Sequence, residues 1–159
     1  MLWQVNRTLN TAVSPMGFQI ERRPIPSAGA IHPVHILVEQ EDAKGWALYD
    51  AQQHVLRTLN VPSHVLAPLV ELCEQVVPRG DGRLMLFAAE FGKTAAKYRY
   101  PESLVWRDAG VLQGALTLTA TALGMSFCLL GITGNPWIGD LADQGQLMGV
   151  GAAIFGSTA

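Results

Sequence analysis

Apolar and polar positions along this chain repeat with two periods, and the switches between them predict its elements. HPVHILVE at 32–39, rich in branched apolar residues, predicts a core strand. WALYD at 46–50 and HVLRTL at 54–59 predict two short strands around the turn AQQ. SHVLAPLVELCEQVV, from Ser63, shifts to helical spacing, with Ser63 as cap and Pro78 ending the run. RLMLFAAEF at 83–91 predicts a second core strand, and GKTAAKYRY a short helix or loop. The strongest helix runs from about Ser103 to Leu123, its apolar stripe being Val105, Ala109, Leu112, Leu116, Ala120 and Leu123, with Gly124 as its stop. MSFCLLGI at 125–132 predicts a strand, PWIGDLAD at 136–143 a short helix, and QLMGVGAAIFG at 146–156 a last strand. Residues 1–20 are weakly patterned. Strands and helices mix without a regular βαβ repeat, so an α+β sandwich is expected over residues 1–159 as a single domain.

The segment from Ala109 to Gly139 holds no charged residue or histidine, which raises a membrane helix. Its glycines, threonines, Gln113, Asn135 and Pro136 favour a buried helix followed by a buried strand. Charged residues make up 15% of the chain against a usual value of about 25%, and apolar residues 49%. That apolar surplus predicts a partner subunit, a large ligand or both. A net charge of −2 without a basic block argues against nucleic acid. Cys73 and Cys128 lie far apart, with neither disulfide nor metal spacing, as in a reducing, cytoplasmic setting. On a strand at 32–39, His32 and His35 fall on opposite faces, and His54 and His64 lack companions at ligand spacing, so no metal site is expected.

Three stretches carry candidate chemistry. PIPSAGAIHP at 24–33 is poor in side chains where Ser27, Ala28 and Gly29 stand; it is either an ordinary turn or a backbone wall against a flat ligand. Arg22 and Arg23 just before it are either phosphate ligands or a surface pair. In AAKYRYPES, Lys97 and Tyr98 are either two proton-transfer groups or a solvated lysine beside a half-buried tyrosine. In the helix and strand that follow, Gln113 is either exposed or faces a polar ligand edge, and the backbone at Leu130 and Gly131 runs past the same place.

In this order, Pro26-Ser27-Ala28-Gly29-Ala30, Trp46-Ala47-Leu48-Tyr49-Asp50, Lys97-Tyr98, Asp108-Ala109-Gly110 and Ala120-Thr121-Ala122-Leu123-Gly124 leading to Cys128 resemble the nitroreductase superfamily, in particular its SagB-type thiazoline/oxazoline dehydrogenases. The resemblance covers about residues 22–156. It implies an α+β fold with a central, mostly antiparallel sheet flanked by helices, binding FMN at a homodimer interface. It also implies hydride transfer between a small-molecule or peptide substrate and the flavin, with Lys97 and Tyr98 catalytic. Ser27, Ala28, Gly29, Gln113, Leu130 and Gly131 would then line the cofactor, and Arg7, Arg22 or Arg23 would take its phosphate.

The chain departs from that family at three contacts. It shows no opening helix with a phosphate-binding arginine and serine, Gly114 follows Gln113 where an asparagine is usual, and no basic residue follows the last strand. Losing two charge-assisted contacts weakens FMN binding by about two to four orders of magnitude. Two alternatives therefore stand beside the dehydrogenase: a flavin-free, shortened relative serving as a binding or scaffold subunit, and a general NAD(P)H-dependent nitro- or quinone reductase.

Overall fold

The computed structural model describes residues 1–40, 45–142 and 147–157. In chain order they form α1 (Leu2–Asn6), β1 (Asn10–Val13), β2 (Gln19–Arg22), β3 (Val34–Glu39), β4 (Trp46–Asp50), β5 (Val55–Leu59), α2 (Ser63–Val76), β6 (Arg83–Glu90), α3 (Phe91–Lys97), α4 (Pro101–Ala122), β7 (Met125–Leu130) and β8 (Leu147–Ser157). Six strands make one sheet in the order β5-β4-β3-β6-β8-β7, with every neighbouring pair antiparallel. The fold is α+β, as expected.

The period-two pattern sorts side chains between two cores. Val34, Ile36 and Val38 of β3, Met85, Phe87 and Ala89 of β6, and Ala153 and Phe155 of β8 meet Val105, Ala109, Leu112 and Leu116 of α4. On the opposite face, Leu37, Leu84, Leu86, Ala88, Ala152 and Ile154 meet Leu66, Leu69 and Cys73 of α2, together with Ile138. β6 lies between both layers, and Leu84 through Ala89 are all buried, which is why that stretch reads as an unbroken apolar run.

Several expectations need correction. The weakly patterned N-terminus forms α1 and a hairpin, with β1 paired to β2 from Asn10↔Arg22 to Val13↔Gln19. Pro62 holds the N-cap position of α2, so Ser63 is its first helical residue. Leu123 lies past the end of α4 and is exposed, whereas the other five stripe residues are buried. β7 is an edge strand, so the strand expected to be buried leaves Ser126, Cys128 and Leu129 exposed. Within 136–143 the only helical piece among the described residues is a 3-10 turn at Gly139–Leu141. Asp143 and Gln146, the ends of two expected elements, lie outside the described residues. No helix among the described residues is long and apolar enough to cross a membrane.

The hairpin is anchored to the sheet by one carboxylate. Glu21 accepts from the Thr8 hydroxyl at 2.5 Å, the Arg23 Nε at 2.9 Å and the Gln52 amide at 2.9 Å. Burial pushes its carboxyl upward, and these donors outweigh that effect, so its pKa falls below the ordinary 4.5. The stabilisation is therefore present above pH 4.5 and is lost as the pH falls below it. Replacing Glu21 with Gln should lower stability at neutral pH by about 1–3 kcal/mol. The same change should flatten the acid limb of the melting temperature, and identical melts for variant and parent across that range would refute this role.

Candidate functional site

The elbow between β2 and β3 is built from residues that fold back on themselves. Ser27 is extended, and Ala28–Ala30 make a single 3-10 turn in which Gly29 takes φ +64°. Ala30 and His32 also stand at positive φ, +57° and +48°. Left-handed backbone costs a residue with a Cβ roughly 1–2 kcal/mol, so something must hold it. That restraint is Asp108 of α4. Its Oδ2 accepts the Ser27 hydroxyl at 2.5 Å, and its Oδ1 accepts the Ala28 N–H at 3.1 Å. Ser27 Oγ in turn accepts the His32 N–H at 2.9 Å.

The elbow meets Lys97 and Tyr98. A Cβ placed on Gly29 would lie 2.6 Å from Lys97 Nζ and 2.9 Å from the Tyr98 hydroxyl. Glycine is needed there twice over, for its φ and for this close approach. The two motifs, distant in sequence, thus share one corner, and they do so because α3 ends at Lys97 beside the first turns of α4. Lys97 Nζ lies 5.5 Å from the centroid of the Tyr98 ring.

The remaining expected residues divide. Arg23 is not an open phosphate ligand, since Glu21 pairs with it at 2.8 Å and Asn6 Oδ1 accepts from it at 3.0 Å. Arg22 is exposed at the end of β2, and no carboxylate among the described residues pairs with it. Gln113 is half-buried, and its Nε2 donates to the Val150 carbonyl at 2.8 Å. That carbonyl is presented by a bulge, where Phe87 pairs with Gly151 but Ala88 with Gly149, leaving Val150 as the extra residue. Leu130 packs against the α2-side core, and Gly131 follows it in the open, with no atom within 4 Å of an added Cβ. Of the expected site residues, the structure brings together Ser27, Ala28, Gly29, Lys97 and Tyr98.

Sequence reasoning gave Asp108 no role of its own. Its signal was an acid one position before the stripe residue Ala109, at the edge of a charge-free segment. Gly149-Val150-Gly151, two glycines inside a strand, was the mark of the bulge. His32 belongs to the elbow and precedes β3, so the opposite-face argument does not apply to it. A small void behind the elbow is lined by Asn6, Arg23, Ser27, His32, Asp108 and Leu112. Among the described residues no cluster of His, Cys, Asp or Glu is arranged to hold a metal.

Burial pushes the His32 imidazole down, and the Arg23 charge adds to it, giving a pKa of about 4 against 6.5. His32 therefore folds neutral, and its contribution is complete above pH 6.5 and lost as the pH falls toward 4. His32→Asn keeps a residue tolerant of positive φ. It should remove the fall in melting temperature between pH 6.5 and the onset of carboxylate titration near 4.5. An unchanged slope would show that His32 does not titrate there. Gly29→Ala should shift the Lys97 and Tyr98 side chains, visible as altered Tyr98 ring resonances by NMR; an unaltered spectrum would contradict the contact.

No protein-family profile matches the chain, and no curated protein matches it. Solved structures do match. A protein described as a nitroreductase from Anabaena variabilis superposes at a TM-score of 0.78 with 22% identity, over 97% of this chain and 33% of that one. A chain of the E. coli microcin synthetase McbBCD complex with truncated pro-MccB17 bound gives 0.67 with 19% identity, over 99% of this chain and 62% of that one. A protein described as a nitroreductase from Ralstonia eutropha gives 0.64 with 14% identity, over 99% of this chain and 81% of that one. The chain thus spans a third of the length of the first of these proteins and under two thirds of the second. Its α+β architecture, antiparallel sheet and flanking helices are those of the nitroreductase fold.

Proposed function

We propose that this chain is an FMN-dependent oxidoreductase similar to the SagB-type azoline dehydrogenases, acting on a peptide or small molecule. One observation carries the reading: Lys97 Nζ and the Tyr98 hydroxyl converge on Gly29, where the backbone has no side chain of its own. The donor set fits a flavin in part. Lys97 and Tyr98 offer an ammonium and a hydroxyl at the elbow, and Arg22 offers an exposed guanidinium to a phosphate. Arg23 does not fit that role, because Glu21 already meets its charge. Bound FMN would supply the two-electron acceptor. One member of the pair, Lys97 as the free amine or Tyr98 as the phenolate, would accept the proton leaving the substrate while the other donates a hydrogen bond, and Asp108 would keep the elbow in place beneath them.

A second copy of the chain belongs to this proposal. α4 and β7 pack together, and from Ala109 to Gly139 they carry no charge while exposing Val111, Leu118 and Leu129. Such a face suits an obligate interface. The second reading is a flavin-free subunit of a larger assembly, and the assembly part of it is supported by the similar chain from the microcin synthetase, which belongs to a complex. The observation favouring that reading is internal: Asp108 occupies the Ser27 hydroxyl and the Ala28 N–H, and Glu21 occupies Arg23.

Visible absorbance of the purified protein, before and after FMN addition, separates the two. We expect about one bound FMN per chain. Lys97→Ala and Tyr98→Phe should keep that flavin while slowing dehydrogenation of a thiazoline peptide by about 10²–10⁴-fold. A protein that stays colourless with excess FMN would overturn the flavoenzyme and leave the subunit.

A further inference from the structure

The turn from α3 into α4 carries an exposed patch of aromatic and cationic side chains that the reading above does not use. Between Phe91 and Arg107 the chain holds four cations, Lys93, Lys97, Arg99 and Arg107, against the single acid Glu102. Lys93 is paired with Glu90 at 2.7 Å. Lys97, Arg99 and Arg107 pair with no carboxylate among the described residues, whereas Arg23, Arg57 and Arg79 all do. Three uncompensated cations within eleven residues are a local excess in a chain whose net charge is −2.

Two large aromatics lie among them. Tyr100 is 70% exposed and Trp106 is 44% exposed. The Arg99 guanidinium rests 5.6 Å from the Tyr100 ring centroid, which presents both as one surface. Tyr100 immediately precedes Pro101, the first residue of α4, and Arg107 precedes Asp108, whose carboxylate is bonded to the elbow. Rigid elements therefore set the positions of the patch. Trp, Tyr and Arg are the side chains that dominate binding energy at protein interfaces. A small anionic molecule needs a concave pocket. The cleft at the elbow and those beside β2, α1 and β5 are lined without Tyr100, Trp106 or Arg107.

We propose that Arg99, Tyr100, Trp106 and Arg107 form a docking surface for an acidic polypeptide segment. Its carboxylates pair with Arg99 and Arg107, and its backbone and apolar groups cover Tyr100 and Trp106. The segment would lie beside Lys97, at the rim of the elbow site. A second copy presenting the same patch would set cations against cations, so charge favours a different, acidic partner.

The test needs neither flavin nor turnover, so it fails or succeeds independently of the proposed activity. A fluorescein-labelled peptide of alternating Glu and Gly is titrated with the full chain and followed by polarisation, beside a Gly-Ser peptide of equal length. The acidic peptide should bind at least about tenfold more tightly, with that advantage shrinking as salt is raised. Arg99→Glu combined with Arg107→Glu should abolish the preference, and Trp106→Ala should weaken binding by about tenfold or more. Circular dichroism melts equal to the parent's will show that these variants fold. If they do not fold, competition by the unlabelled Glu-Gly peptide on the unmodified chain serves instead. Equal binding of both peptides, unchanged binding by the charge reversals, or displacement by ADP would overturn the proposal, the last in favour of a nucleotide site. Conversion of a dimer to monomers by Trp106→Ala, seen by light scattering, would also overturn it by assigning the patch to a second copy.

Discussion

The Asp108 carboxylate is the constraint around which the candidate site is arranged. It rises from the first turns of α4 and takes two donors from the elbow, the Ser27 hydroxyl and the Ala28 N–H. A charge-assisted pair of this kind is stronger than neutral hydrogen bonds. It holds a backbone that enters left-handed conformations at Gly29, Ala30 and His32, which would otherwise relax toward ordinary extended geometry. Gly29 so placed leaves room for Lys97 Nζ and the Tyr98 hydroxyl, which a Cβ there would meet. Remove the carboxylate and the reason for the corner disappears, although the sheet beneath it would remain.

The sheet supplies the reference frame. β6 is covered on both faces, by α4 on one side and α2 on the other, so α4 cannot slide without disturbing Leu112 and Leu116 against β6 and β8. The bulge at Val150 adds a polar tie, because its carbonyl is turned toward Gln113, five residues beyond Asp108 on the same helix. Asp108 and Gln113 thus fasten α4 at two levels, one to the elbow and one to β8.

Much of the frame was legible in the pattern of residues. A run of branched apolar residues marked β3, apolar stretches marked β4, β6 and β8, and the stripe from Val105 to Ala120 marked the buried side of α4. The hairpin β1–β2 was not legible, because both strands are largely exposed and have no apolar alternation to announce them. Its place depends on Glu21 finding Thr8 and Gln52, 13 and 31 positions away along the chain, as well as its neighbour Arg23. β7 misled for the opposite reason, since an uncharged strand reads as buried whether a core or only an edge awaits it.

Local composition determined that Ser27, Ala28 and Gly29 form a side-chain-poor elbow, that Lys97 and Tyr98 stand in a short helix or loop, and that a long apolar helix follows. These follow from propensity and periodicity, which act over a few residues. Only the tertiary structure decided that the elbow's donors turn inward to Asp108, that Arg23 is neutralised by Glu21, and that Lys97 and Tyr98 meet at Gly29. Those choices depend on which polar groups become neighbours once the two cores are packed. A hydrogen bond spanning 81 positions leaves no periodic trace along the chain.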